Sequence, residues 1–362
     1  MIRASIVLKN RKLYNFSFYI FWIILIFVKG LGLTSQDAIY RNIVFCIIPF
    51  ALIKICGTQF SKKELTICIF LYSLGTLIWL SSKNVAILLT VISITSLKNI
   101  DLYKLLKLSF WIRASMFLIR FVLATQGYIE IQQYYRYESN AIQKIRYALG
   151  YGHPNTAHYM LFVVFTLFIL VFYDKSKLYH YVIMMICNIY VYLYTNSRTG
   201  LVLCSLLIVL SFLVKHNKII TKITSAISKK FYIFASSISL IICYLFARVP
   251  YLRSLSTLSS RFLTASIVME NKELNLFGAP NIVTDFGYIN ILYENGLILF
   301  VIFIFVNTKM IKHFIEKKKY NMVIVFLCYG IYTLSEAYSV SILMNISLVF
   351  MSELLFRERK SK

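Results

Sequence analysis

Uninterrupted apolar runs of about 16 to 22 residues recur from one end of this 362-residue chain to the other, and no other feature limits its fold so tightly. Each is close to the roughly 20 residues that a helix needs to cross the hydrocarbon of a bilayer. Backbone groups there have no water to bond and must satisfy one another in helices or closed barrels. Continuous runs, rather than alternating ones, select helices. With 59% hydrophobic and 16% aromatic residues, the composition lies outside that of a soluble domain. The sequence therefore predicts an all-α fold: a polytopic membrane protein of about 12 transmembrane helices, at roughly 14–33, 40–56, 65–80, 84–97, 102–125, 155–173, 179–195, 199–214, 231–248, 296–312, 321–335 and 340–356. No repeat, linker or low-complexity tract marks a second domain, so residues 1–362 read as one membrane domain with two long loops, about 126–153 and 249–295.

The net charge of +25 does not point to nucleic acid once the basic residues are located. With a cytoplasmic N-terminus, and span-edge residues counted with the nearer loop, 26 Lys and Arg fall inside and ten outside, while Lys29, Arg113 and Arg120 lie within spans. This fits the positive-inside rule in every long loop but the outer segment 249–295, whose Arg253, Arg261 and Lys272 run against the bias. It places both termini in the cytoplasm, with the tail Arg357, Arg359, Lys360 and Lys362 on the same side as the basic leader Arg3, Lys9, Arg11 and Lys12. No small-residue cleavage site follows that leader, so the first run reads as an uncleaved span of a multi-pass protein of the cytoplasmic membrane. Most of the charge is orientation signal, and anionic membrane lipids are a sufficient partner for it. The seven cysteines sit in or beside apolar runs without metal-ligand spacing, and no cofactor is implied.

Several residues depart from plain membrane filler. The first long loop carries Arg136 among tyrosines and ends in "GYGHPNTAH", residues 150–158. Aromatic faces stack on the C–H side of a sugar ring while charged groups bond its hydroxyls, although tyrosine is also common at membrane interfaces. Pro154 suits the first position of a helix, so Asn155 and His158 stand one turn apart at its mouth beside His153. The three could face one polar cavity, or serve as cap and packing; they make a poor zinc site. "TNSRTG", residues 195–200, reads as a tight hairpin, but a turn does not require Arg198, whose planar fork suits a pair of phosphate oxygens. Arg113 and Arg120 are seven residues apart and share a helix face, a cationic stripe suited to a lipid-linked phosphate. In the second long loop, Thr284 or Asp285 can cap a short helix that Gly296 ends, with Tyr288 on it; Asp285 and Glu294 are its best-placed carboxylates, Glu294 reading as a capping group.

Together "GYGHPN", "TNSRTG", "SSRF", "LFG" and "DFGYINILYENG", in this order and with this two-loop layout, resemble the Wzy-type O-antigen and capsular polysaccharide polymerases, relatives of the O-antigen ligases. The resemblance runs from about Tyr147 to Gly296. It implies an enzyme that joins undecaprenyl-pyrophosphate-linked oligosaccharide repeat units at the outer face of the membrane, working alongside flippase and chain-length regulator proteins. Arg198 and Arg261 match the family's loop arginines and would hold pyrophosphate; Arg120 joins them on helix geometry. His153 and Asp285 are the candidate bases, with Asn155, His158, Arg136 and Tyr288 as substrate contacts. Ligases of this group use a histidine in the late loop, and residues 249–295 contain none, which favours a polymerase. The outer segments hold no convincing metal-ligand set, so catalysis is expected to be metal-independent. A flippase for the same lipid-linked saccharide is the competing class, although no inverted repeat supports it.

Orientation is open to a direct check in a cysteine-free background. Ser139→Cys and Lys272→Cys are expected to react with a membrane-impermeant thiol reagent on whole cells, and Lys218→Cys is not. The reverse pattern would invert the topology.

Overall fold

The structure is a computed structural model that describes residues 2–34, 37–129, 132–137, 143–249, 251–252 and 260–356. Ser139, Ser259 and the basic tail lie outside the described residues. In chain order the elements are α1 (Ile2–Gly30), α2 (Ala38–Cys56), α3 (Lys62–Ser82), α4 (Ala86–Ser96), α5 (Leu102–Thr125), β1 (Gln133–Tyr137), β2 (Gln143–Tyr147), α6 (Pro154–Phe172), α7 (Leu178–Thr195), α8 (Arg198–His216), α9 (Lys218–Ser228) and α10 (Phe231–Arg248). They continue with α11 (Ser260–Asn271), α12 (Gly287–Glu294), α13 (Gly296–Glu316), α14 (Tyr320–Tyr332), a 3-10 turn at Ile346–Phe350 and α15 (Met351–Leu355).

Among the described residues nine helices are long and apolar enough to cross a membrane: Arg11–Gly30, α2, α3, α5, Pro154–Lys175, α7, α8, α10 and α13. The chain is thus a helical membrane protein, with one amendment to the all-α expectation. The first long loop forms an antiparallel hairpin in which Tyr134 pairs with Arg146 and Arg136 with Lys144.

Three of the twelve expected spans are not continuous helices of spanning length. The run at 84–97 yields the 11 residues of α4, about 16 Å of helix against a hydrocarbon core of about 30 Å. That at 321–335 yields the 13 residues of α14. The run at 340–356 breaks into turns, a 3-10 turn and the five residues of α15. Its small polar side chains explain the break, because Ser and Asn compete with the helix for backbone groups. Asn345 Nδ2 donates to Ser339 O (2.9 Å), Ser347 Oγ to Asn345 Oδ1 (2.5 Å), and the Ile346 N–H to the Tyr329 hydroxyl (3.3 Å). Irregular backbone is tolerated in a membrane protein where protein covers it, and residues 342–344 and 346–350 are buried.

Where the sequence shows no linker, the chain forms two compact units, Met1–Gln59 with Ser96–Leu213, and Phe60–Thr95 with Val214–Lys362. Each is discontinuous in sequence, so no compositional boundary marks it.

In the first unit, α1 packs on α2 and α5, α5 on α6, and α6 on α7. α6 is apolar on all sides and is buried along most of its length. Polar ties join these helices: Trp22 Nε1 donates to Ser109 Oγ (2.9 Å), and Lys54 Nζ to Asn15 Oδ1 (2.7 Å).

In the second unit, α10 packs on α11, α12, α13 and α14. The fully buried Tyr288 donates its hydroxyl to Gly330 O (3.1 Å), and Tyr232 donates to Phe326 O (2.8 Å). Gly278 and Gly296, both with left-handed backbone, bring two strands of chain together at van der Waals limits. A Cβ on Gly278 would stand 2.0 Å from Glu294 O, and one on Gly296 2.3 Å from Leu276 O. The bonds from Ala279 N to Tyr293 O (2.9 Å) and from Leu297 N to Asn275 O (3.1 Å) complete this interlock.

Candidate functional site

In the first unit the stretch 150–158 and the hairpin 195–200 meet. His153 precedes α6 in extended conformation, with Pro154 at the first helical position, and its Nδ1 accepts the Asn155 N–H at 3.2 Å. Asn155 Oδ1 receives Arg146 Nη2 at 2.6 Å and Ser197 Oγ at 3.1 Å. Arg146 Nε also donates to Thr195 O at 3.1 Å, so one guanidinium bridges the hairpin strand β2, the mouth of α6 and the end of α7. Ser197 Oγ accepts the Gly200 N–H at 3.3 Å across the first turn of α8. The N-termini of α6 and α8 thus converge with Arg146, and Arg198 is exposed on the first residue of α8. Aligned peptide dipoles and two guanidinium groups make this end electropositive.

His158 lies beneath this cluster, fully buried. Asn188 Nδ2 donates to Leu201 O (3.1 Å) and Ser205 Oγ (2.9 Å), which turns Asn188 Oδ1 toward His158 Nε2 at 2.7 Å. Nε2 is therefore the donor, and Nδ1 pairs with Thr195 Oγ1 at 3.1 Å. A substrate contact is thereby corrected to a packing role: both ring nitrogens of His158 are committed to α7. Gly200 belongs to the same contact, since a Cβ there would stand 2.4 Å from His158 Cγ.

Arg120 is likewise engaged by the protein. Its guanidinium donates to Leu31 O and Gly150 O and lies 5.0 Å from the centre of the Tyr151 ring. Burial pushes the Tyr151 phenol up to about 12, with Arg120 and Arg113 pulling it back. Arg113 is buried with Nη1 3.8 Å from Met160 Sδ. In place of an open cationic stripe, Arg120 ties α5 to the end of α1 and to the turn before α6.

His153 sits edge-on to Tyr134, ring centres 5.0 Å apart, and the Tyr134 hydroxyl donates to Gly152 O. Because Nδ1 accepts a backbone N–H, the proton of the neutral ring resides on Nε2, and His153 can take a second proton only by giving up its cap. Arg136 lies on β1, opposite Lys144.

The second unit gathers the later motifs. Arg261, in the first turn of α11, forms an ion pair with the buried Glu336 (2.9 Å) and donates to Ser335 O. Gly287 opens α12 against the same segment, where a Cβ would stand 2.5 Å from Glu336 O. Glu294, expected as a cap, is instead clamped by Asn290 Nδ2 (2.7 Å) and Asn84 Nδ2 (2.9 Å). Burial raises its pKa and the two amides partly offset this. Tyr288, expected to touch substrate, is fully buried, and its phenol is pushed well up by that burial. Thr284 Oγ1 accepts the Phe286 N–H (3.2 Å), and Asp285 is exposed beside it. α12 ends at Glu294 with Asn295 following, and Gly296 begins α13 rather than closing α12.

Of the residues that the sequence singles out, His153 and Asn155 (as one possible cavity with His158) and Arg198 (as a separate hairpin arginine) lie at this end of the first unit; the parts played by Arg146, Thr195, Ser197 and Asn188 are not legible there. Thr195 and Ser197 read as turn formers, and Asn188 was one polar residue in an apolar run. Glu336 was missed as well, although a half-buried arginine such as Arg261 calls for a partner. Comparison of the chain with protein-family models, curated proteins and solved structures finds no match.

The cap can be separated from the imidazole. His153→Ala is expected to lower stability by about 1 kcal/mol while His153→Asn, itself a good cap, is neutral within about 0.5 kcal/mol. Thermal unfolding of the purified protein in detergent reads the difference; equal losses would show that the ring, not the cap, carries the stability.

Proposed function

We propose that the chain is a polysaccharide polymerase that joins saccharide units carried on a lipid pyrophosphate at the outer face of the cytoplasmic membrane. The observation that supports this reading most is the meeting of "GYGHPN" and "TNSRTG", some forty residues apart, in one hydrogen-bonded electropositive cluster. The later motifs "SSRF" and "DFGYINILYENG" also draw together, at Glu336. Motifs that resemble a family only by their order thus have a physical reason to occur together within each unit.

In the reaction, a hydroxyl of the incoming unit attacks the anomeric carbon of the growing chain's first sugar. A new glycosidic C–O bond forms, the anomeric C–O bond to pyrophosphate breaks, and the lipid pyrophosphate leaves with the electron pair. Negative charge grows on the leaving group, which cations in a low-dielectric setting stabilise. Arg198 is assigned to pyrophosphate because it is exposed at the first turn of α8, where the helix dipole adds to its charge. Arg146 shapes that end and holds Asn155 in place for substrate. The hydroxyl's proton goes to a base; Nδ1 of His153 is bound in its cap, which leaves Asp285 as the remaining candidate that the motif resemblance supplies. Asp285 and Arg261 enter through the motif resemblance, and Arg261 would have to exchange Glu336 for a phosphate; Arg120, bound to Leu31 O and Gly150 O, keeps its structural tie.

Deleting the gene in its host is expected to accumulate single lipid-linked repeat units at the outer face. Those lipids, extracted and given to the purified protein with EDTA, are expected to yield a ladder of longer chains, lost by at least tenfold in Arg198→Lys because an ammonium lacks the bidentate fork. A positioned base contributes about 10²- to 10⁴-fold, so Asp285→Asn should slow the ladder by that factor. Absence of a ladder under every condition, with transbilayer movement of the same lipid in liposomes, would replace this reading with a flippase.

A further inference from the structure

A groove of about 650 Å³ runs along α13 in the second unit, away from every motif discussed above. Val301, Ile304, Phe305, Thr308, Lys309 and Lys312 line it at positions i, i+3, i+4, i+7, i+8 and i+11, so they form one stripe down the helix. From Val301 to Lys312 the stripe is about 16 Å long, roughly half the hydrocarbon thickness of a bilayer and therefore the depth of one leaflet. Its first half is apolar, and Ile233 of α10 and Leu354 also line the groove. Val301 and Phe305 are 57% and 61% exposed, too open for a helix packed only on protein.

The second half changes character. Thr308 is buried, yet its Oγ1 has no hydrogen-bond partner. A hydroxyl withdrawn from water needs a partner, and this one lines the groove. Next to it and one turn on, Lys309 and Lys312 are exposed with no carboxylate partner among the described residues, and Lys309 Nζ stands 5.2 Å from the Phe305 ring centre. The acidic side chains nearby do not neutralise them: Glu353 pairs with Lys317 (3.4 Å), and Glu316, one turn beyond Lys312 on α13, forms no ion pair with either lysine.

Because Ile233 lies in the first turn of α10 and Lys312 near the end of α13, both at this groove, the basic residues Lys229, Lys230 and Lys317–Lys319 collect at the same end. A groove one leaflet deep whose first half is apolar, followed by a hydroxyl in search of a partner and two exposed ammonium groups, matches the acyl chain, the ester region and the phosphate of a lipid. Basic pockets between membrane helices at the more positive end hold anionic headgroups.

We propose that this groove is a binding site for an anionic phospholipid of the leaflet facing the basic loops. The acyl chain lies along Val301, Ile304 and Phe305, the phosphate sits between Lys309 and Lys312, and Thr308 Oγ1 donates to an ester or phosphate oxygen. The site stands independently of the saccharide reading and survives its failure.

Native mass spectrometry of the full-length protein in detergent tests it, with phosphatidylglycerol and phosphatidylcholine of identical chains as probes. The wild type is expected to retain phosphatidylglycerol in preference. In the double variant Lys309→Gln/Lys312→Gln that preference is expected to fall by about tenfold or more, since each lysine near a headgroup is worth about one decade or slightly less. The control Lys62→Gln/Lys63→Gln, which removes the same charge at the start of α3, should leave it within about twofold. Equal retention of both lipids by the wild type, an equal loss in the control, or displacement of phosphatidylglycerol by a polyprenyl phosphate at equal concentration would each overturn the proposal.

Discussion

The imidazole of His158 fixes the geometry on which the first unit's cluster depends. Buried among apolar side chains, it has one way to satisfy both nitrogens, and it uses Asn188 and Thr195 of α7 to do so. A buried polar group left unpaired costs about 1–3 kcal/mol, so the three residues hold one another in a single arrangement. Asn188 carries the constraint on to α8 through Leu201 O and Ser205, and Gly200 lets α8 approach the ring. With three helices locked below, Thr195, Ser197 and Asn155 are positioned above, and Arg146 closes the cluster from the hairpin. Arg198 inherits its place from this chain of contacts.

The second unit solves a similar problem with backbone instead of side chains. Gly278, Gly287 and Gly296 permit approaches that any Cβ would block, and bring the segments 275–279, 287–296 and 333–336 into contact. Irregular backbone at 333–350 can be buried there because Ser339, Asn345, Ser347 and Tyr329 supply its hydrogen bonds. Arg261 and Glu336 then neutralise one another at its edge.

Much of the fold was legible because hydrocarbon solvent writes in a simple code. α5 begins and ends at the residues its apolar run suggested, and α6 begins at Pro154, one residue from where its run placed it. The code fails where helices are covered by protein rather than lipid. Runs at 84–97 and 340–356 are apolar enough to resemble spans, but Thr90 Oγ1 bonds Val340 O (2.9 Å) and receives the Ile342 N–H (3.1 Å), a tertiary pairing that hydropathy does not register. At the candidate site the polar residues were visible and their partners were not. Asn155 and Ser197 are forty-two positions apart, and an arginine that joins Asn155 to Thr195 from a strand has no signature in a sequence read for helices. Burial likewise separated His158 and Tyr288 from the surface, a distinction that residue type alone does not carry.

The central claim is that the end of α6 and α8 bearing Arg198 holds a lipid pyrophosphate. Equilibrium binding of a short-chain polyprenyl pyrophosphate to the purified protein in nanodiscs tests it without the saccharide. The expected result is saturable binding that weakens about tenfold in Arg198→Lys, because a point charge replaces a bidentate fork, and that exceeds binding of the corresponding polyprenyl alcohol. Equal affinity in the wild type and the variant, or equal affinity for pyrophosphate and alcohol, would contradict the account.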